Sequence, residues 1–153
     1  MMLVKGLIAL LASSALIAGA GAAIEWNSAT VPISGTVTGM PESVAFSGKV
    51  QIQTRRAIDP EDSRRNKLLL QIDFSGVSGV GAVSSATYVV EAQDVVTRPL
   101  ASADVVTITF PFHSSSTRAV SASRTGTASF SLSVDTATGA VTAATASILS
   151  PER

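Results

Sequence analysis

The chain has 153 residues, eleven basic and eleven acidic side chains, a formal net charge of zero, no cysteine and one histidine. Its length fits one domain. The missing cysteines exclude a disulfide framework, thiol catalysis and thiolate metal sites, and the even charge balance gives no global attraction to nucleic acid. Thirty-seven residues are Ser or Thr, while charged residues make up 14% and aromatics 5%, a departure from an average cytosolic composition.

Residues 1–22 read as a cleaved signal peptide. Lys5 is the lone charge near the start, an apolar run follows from Gly6 to Ile17, and Ala18 to Ala23 are all small. A basic start, a short apolar core and a small-residue end form the secretory layout. The peptidase admits only small side chains, so Ala20-Gly21-Ala22 is the preferred site, with cleavage before Ala23. The strongly apolar part falls short of the roughly 20 residues that span a bilayer, so no stable membrane insertion is expected after cleavage.

The remainder alternates with period two. Val31–Thr38 is a first strand, with Pro32 marking an edge or strand start. Residues 43–54 set Val44, Phe46, Val50 and Ile52 against Ser47, Lys49, Gln51 and Gln53. Residues 68–76 set Leu68, Leu70, Ile72 and Phe74 against Gln71, Asp73 and Ser75. Between these two strands, residues 55–66 break the pattern and read as a charged hairpin insertion. Asp59 as N-cap and Pro60 as first helical residue predict one helical turn there.

The stretch from Gly76 to Ala82 reads as a flexible Gly/Ser connection. Ala86–Val96 is a strand with a pause at Glu91–Asp94, ended by Thr97-Arg98-Pro99-Leu100. Residues 104–112 place Val106, Ile108, Phe110 and Phe112 on one face. Thr117–Ser123 is a short polar strand. Residues 127–134 place Ala128, Phe130, Leu132 and Val134 on one face. Asp135 to Gly139 forms a hairpin turn leading into the Ala- and Thr-rich strand Ala140–Leu149. One wet and one buried face is the pattern of an antiparallel sheet. It predicts an all-β fold, a single antiparallel β-sandwich or small barrel of about seven to eight strands spanning 23–153. Phe46, Ile52, Leu70, Ile72, Phe110, Phe130 and Leu132 are the expected core.

Few residues offer chemistry. His113 could be drawn into a Ser/His/Asp triad, but no Gly-x-Ser-x-Gly elbow accompanies it, so a solvated strand-end histidine is the better reading. Gly79-Val80-Gly81 lacks the helix N-terminus that a phosphate loop needs. Asp59, Glu61 and Asp62 have oxygens for calcium but not the spacing, and basic residues surround them. The T-x-T triplets at Thr36, Thr107 and Thr125 lack the repeat that an ice-binding face requires. Trp26 and Tyr88 are the aromatics open to sugar stacking, Trp26 lying in an N-terminal tail. No catalytic residue, cofactor or metal is expected.

The dense charge cluster is Arg55, Arg56, Arg64 and Arg65, a candidate surface for an acidic polysaccharide or protein partner; the plainer reading is a solvated loop neutralised by its own acids. The sequence therefore points to an exported bacterial protein, periplasmic or secreted. Its expected role is non-enzymatic, in binding or as a surface structural component. The alternatives are a fibre subunit assembling by strand addition, with Val31–Val37 as the donated strand, and an exported hydrolase using His113.

Overall fold

The computed structural model describes residues 25–116 and 123–150. The proposed signal peptide and most of the strand expected at Thr117–Ser123 lie outside them. Among the described residues there is no helix, and nine strands form one antiparallel sheet that does not close. They are β1 (Asn27–Val37), β2 (Val44–Ile58), β3 (Asn66–Asp73), β4 (Val77–Gly81), β5 (Thr87–Val90), β6 (Gln93–Pro99), β7 (Ala103–Ser114), β8 (Arg124–Val134) and β9 (Val141–Leu149).

The expected all-β class is present, but its ladders belong to one continuous sheet and not to two separately bonded ones. The order is β6-β3-β2-β4-β5-β7-β8-β9, with β1 on the remaining edge of β2. Read along the chain it is a meander. β3 and β4 are two halves of a single bent run, both antiparallel to β2. The register passes from Gln51 opposite Asp73 to Gly48 opposite Val77. Three residues thus face two, which is a β-bulge.

Gly48 and Gly76 make this bend. Gly48 has φ +148°, and a Cβ on it would strike the Gly76 carbonyl oxygen. The stretch expected to be a flexible connection is therefore a bulge followed by strand β4. Gly76 lets the chain approach the Lys49 carbonyl, while Gly79 and Gly81 leave room for the Phe46 ring and the Glu42 carboxylate. A matching break at Glu91 and Ala92 divides β5 from β6, where the sequence pauses.

The expected core is buried throughout. Phe110 and Phe130 are 0% exposed, and the other expected core residues are no more than 3% exposed. The aromatic rings join opposite parts of the curled sheet. Phe46 of β2 meets Phe110 and Phe112 of β7 edge-on at 5.7 and 4.9 Å between centroids. Phe74 stacks on Phe110 at 5.2 Å. These geometries suit the ring quadrupoles.

The two ends of the meander also approach each other. Thr38 and Ser150 share a hydroxyl hydrogen bond at 3.1 Å, and a Cβ on Gly35 would lie 2.5 Å from the Ile148 carbonyl oxygen. The outward positions of β7, β8, β9 and β1 hold no charged side chain. Among the described residues, charge is confined to the other strands, the inward-facing strand ends and the loops.

Candidate functional site

The insertion at 55–66 is not organised as its composition suggests. β2 continues through Arg55, Arg56, Ala57 and Ile58, and β3 begins at Asn66, leaving a loop of only 59–65. The predicted helical turn is absent. The Asp59 N–H donates to the Arg65 carbonyl at 3.1 Å, continuing the ladder. Asp59 Oδ1 accepts from the Glu61 N–H at 3.0 Å, and its Oδ2 lies 2.9 Å from Lys67 Nζ. The acid expected to cap a helix is committed to an Asx turn and to a lysine across the ladder. That lysine, with the Glu61 N–H behind it, holds the Asp59 carboxyl below its ordinary value.

The four arginines are consequently divided. Arg64 and Arg65 sit in the loop, where Asp62 accepts from the Arg64 N–H at 3.0 Å and lies 3.4 Å from Arg65 Nε. Arg55 and Arg56 stand on a strand, and so point in different directions. The Arg55 guanidinium lies over the Trp26 ring, 4.7 Å from its centroid. Its Nε is buried without a hydrogen-bond acceptor. Trp26 is thus a stacking partner and not part of a free tail. Arg56 donates from Nη1 to the Ala137 carbonyl at 2.7 Å. The Thr54 hydroxyl donates to the Gly139 carbonyl, and Asn27 Nδ2 donates to the Thr138 carbonyl at 3.2 Å. The turn between β8 and β9 is thereby tied over the end of β1 and β2.

A groove of about 600 Å³ runs along this end, lined by Arg55, Arg56, Ala57, Ile58 and Asn66. Ile58 is 69% exposed beside the guanidinium groups. The groove combines planar donors with an apolar wall, which suits an acidic group carried next to an apolar one.

A second polar constellation stands at the other end. Glu42, at 9% exposure, accepts from the Val83 and Ser84 N–H groups at 2.8 Å each, from the Ser84 hydroxyl and from the Tyr88 hydroxyl at 3.0 Å. Arg124 donates to the Glu42 carbonyl at 2.7 Å and covers the Phe112 ring at 5.1 Å. The bonds to Ser84 and Val83 hold the Glu42 carboxyl down at about 2. Burial raises the Tyr88 hydroxyl, and the carboxylate beside it adds to that. All four acceptor contacts come from the chain itself, so this cluster is a clasp between loops 38–43 and 82–86. Sequence reading missed it, because Glu42 is isolated among Met40, Pro41 and Ser43 and its partners lie more than forty positions away.

His113 sits opposite Val89 in the β5–β7 ladder. No carboxylate is bonded to it among the described residues, and the neighbouring Ser114 hydroxyl is shared with Ser116 at 2.9 Å. Also among the described residues, no three His, Asp or Glu side chains converge as metal ligands, and no helix is long and apolar enough to cross a membrane. Comparison with protein-family models, with curated proteins and with solved structures finds no match to this chain.

Proposed function

We propose that this is an exported, non-enzymatic protein that holds an acidic partner at the Arg55–Arg56 end of β2, either as a binding protein or as a surface component. The observation that carries the reading is the Arg55 guanidinium, fixed on Trp26 beside Arg56 and the exposed Ile58 in one groove. Planar guanidinium donors there suit a carboxylate or sulfate. Stacking on indole holds the guanidinium in one orientation, so less freedom is lost on binding. In the same reading the curled sheet is a β-sandwich whose seam lies between β1 and β9, supported by the ring contacts across its interior.

Two alternatives have less support. A fibre subunit would need a strand to donate, and Val31–Val37 is already paired with β2 in its own chain. The open edges of β6 and β7 are also blunted. The ladder bonds from Phe74 N–H to Ala92 and from Leu100 N–H to Asn66 turn the odd-numbered β6 residues outward. On those outward positions Pro99 has no N–H, and the Val95 N–H is taken by Asp94 Oδ1 at 3.1 Å. On β7 Pro111 and the Val105 N–H, held by Asp104 Oδ1 at 2.8 Å, do the same. Prolines and charges on edges suppress strand pairing. A hydrolase on His113 would need a carboxylate to orient the imidazole.

The test is retention on immobilised dextran sulfate and polyglutamate against neutral dextran. Binding to the acidic matrices should weaken with salt. It should fall about tenfold or more in Arg55→Ala and Arg56→Ala, the scale of a charge-assisted bond, and little in Arg64→Ala. Equal retention on neutral dextran, or unchanged affinity in both strand variants, refutes the reading. Export is tested by fractionation and intact mass, with a chain starting at or near Ala23 as the expected product.

A further inference from the structure

We propose that the outward face of β2, β3 and β6 binds a polysaccharide strand in which a uronate is flanked by neutral sugars, the uronate on Arg55 and the neutral units on the chain's glutamines. This rests on the Arg55–Arg56 reading above and goes further by naming the ligand class and the surface that recognises it.

The surface follows from register. The chain has four glutamines, Gln51, Gln53, Gln71 and Gln93. Val50, Ile52, Leu70 and Ile72 are buried, so the odd-numbered residues between them point to solvent. Gln53 stands opposite Gln71, Gln51 opposite Asp73, and Asp73 opposite Gln93. All four glutamines therefore gather in one patch across three strands. Side chains directly opposite each other lie about 5 Å apart, and successive ones along a strand about 7 Å apart. Arg55, stacked on Trp26, is the next outward residue after Gln53 and marks one end of the patch. At the other end the patch runs into a groove of about 530 Å³, lined among others by Asp73, Ser75, Ser78, Glu91 and Gln93.

The chemistry of this patch selects the ligand. The side-chain hydrogen bonds of the chain run through other residue types and engage none of the four amides among the described residues. Each amide carries two donors and an acceptor oxygen, and neighbouring amides offer both to the paired hydroxyls of a sugar ring. An acidic peptide would engage Arg55 and leave the amides idle. Trp26, exposed beside the guanidinium, gives the C–H face of a sugar an apolar contact. Asp73 and Glu91 disfavour a carboxylate on every unit, and Lys49, the next outward residue along β2 from Gln51, offsets only one of them. The charges thus fit an acid at the Arg55 end and neutral units beyond it.

The experiment titrates the full chain with a hyaluronan octasaccharide, in which glucuronate alternates with a neutral amino sugar, and follows calorimetry and the side-chain amide signals by NMR. The oligosaccharide should bind and move the Gln51, Gln53 and Gln71 signals, whereas polyglutamate should leave those of Gln51 and Gln71 in place. Gln53→Ala combined with Gln71→Ala should weaken hyaluronan binding about tenfold or more, the scale of two neutral hydrogen bonds, with the thermal midpoint and polyglutamate binding retained. Polygalacturonate, with a carboxylate on every unit, should bind more weakly than hyaluronan, and equal or tighter binding overturns the mixed glycan. Unmoved glutamine signals in the wild-type chain overturn the proposal whether or not the double variant folds. Unchanged hyaluronan affinity in a folded double variant, with Arg55→Ala still lowering it, makes the amides a solvated face; this too overturns the proposal and leaves the arginine reading standing. Absence of binding to hyaluronan, polyglutamate and dextran sulfate alike defeats both.

Discussion

Gly126 stands directly across the β7–β8 ladder from Phe110. A Cβ at Gly126 would lie 2.5 Å from Phe110 Cζ and 3.0 and 3.1 Å from its two Cε atoms. The ring has nowhere to retreat, being 0% exposed and held by Phe46 at 5.7 Å, Phe74 at 5.2 Å and Phe112 at 6.2 Å. Replacing a strand glycine with alanine would by itself favour folding by about 0.4–1 kcal/mol, because the unfolded chain loses freedom. Overpacking a rigid core costs about 1–3 kcal/mol. With the ring fixed on three sides the steric cost wins, and Gly126→Ala should be destabilising by about 1–2 kcal/mol. Urea unfolding should show a lower midpoint at unchanged slope. Phe110→Leu removes the ring atoms that the new methyl strikes. It destabilises alone, by less than the about 3–5 kcal/mol of full truncation, but the double variant should recover part of the Gly126→Ala loss. Coupling of about 0.5–3 kcal/mol is expected for residues in contact. A more stable Gly126→Ala, or a strictly additive cycle, would refute the packing account.

Phe130→Ala should cost about 3–5 kcal/mol, whereas Ser131→Ala on the outward face should cost under about 0.5 kcal/mol; equal urea midpoints would reverse the face assignment. Glu42→Gln should destabilise at neutral pH, because its amide group would meet the Val83 and Ser84 donors. Glu42 has its folded value near 2, below the ordinary 4.5, so its contribution is complete above about 4.5 and is lost as pH falls toward 2. The gap between wild type and Glu42→Gln in thermal midpoint should therefore close over that window, and a gap independent of pH would dismiss the clasp. Replacing 60–64 with an Asn-Gly turn should leave the thermal midpoint nearly unchanged, because the ladder is already complete at the Asp59 N–H to Arg65 bond; unfolding would show that the loop supports the sheet.

The alternation of side chains by itself determined the all-β class and the buried set from Phe46 to Leu132, because a strand sends successive residues to opposite faces whatever its neighbours are. It also placed the Glu91 break and the Asp135–Gly139 turn, both written in local residue types. Which ladders form depends on residues far apart, and there local reading failed. Gly76 to Gly81 looked like a loop because glycine permits one. Only the approach of Gly48 to the Gly76 carbonyl makes it a bulge with a strand beyond. Asp59-Pro60 looked like a helix start. Lys67, across the ladder, takes the carboxylate instead, and the strand register carries Arg55 and Arg56 out of the loop. The arginines were visible as a cluster in composition. Their division, the Trp26 stack, the β8–β9 turn tied over the end of β2 and the Glu42 clasp arise from contacts between distant segments, which tertiary packing alone decides.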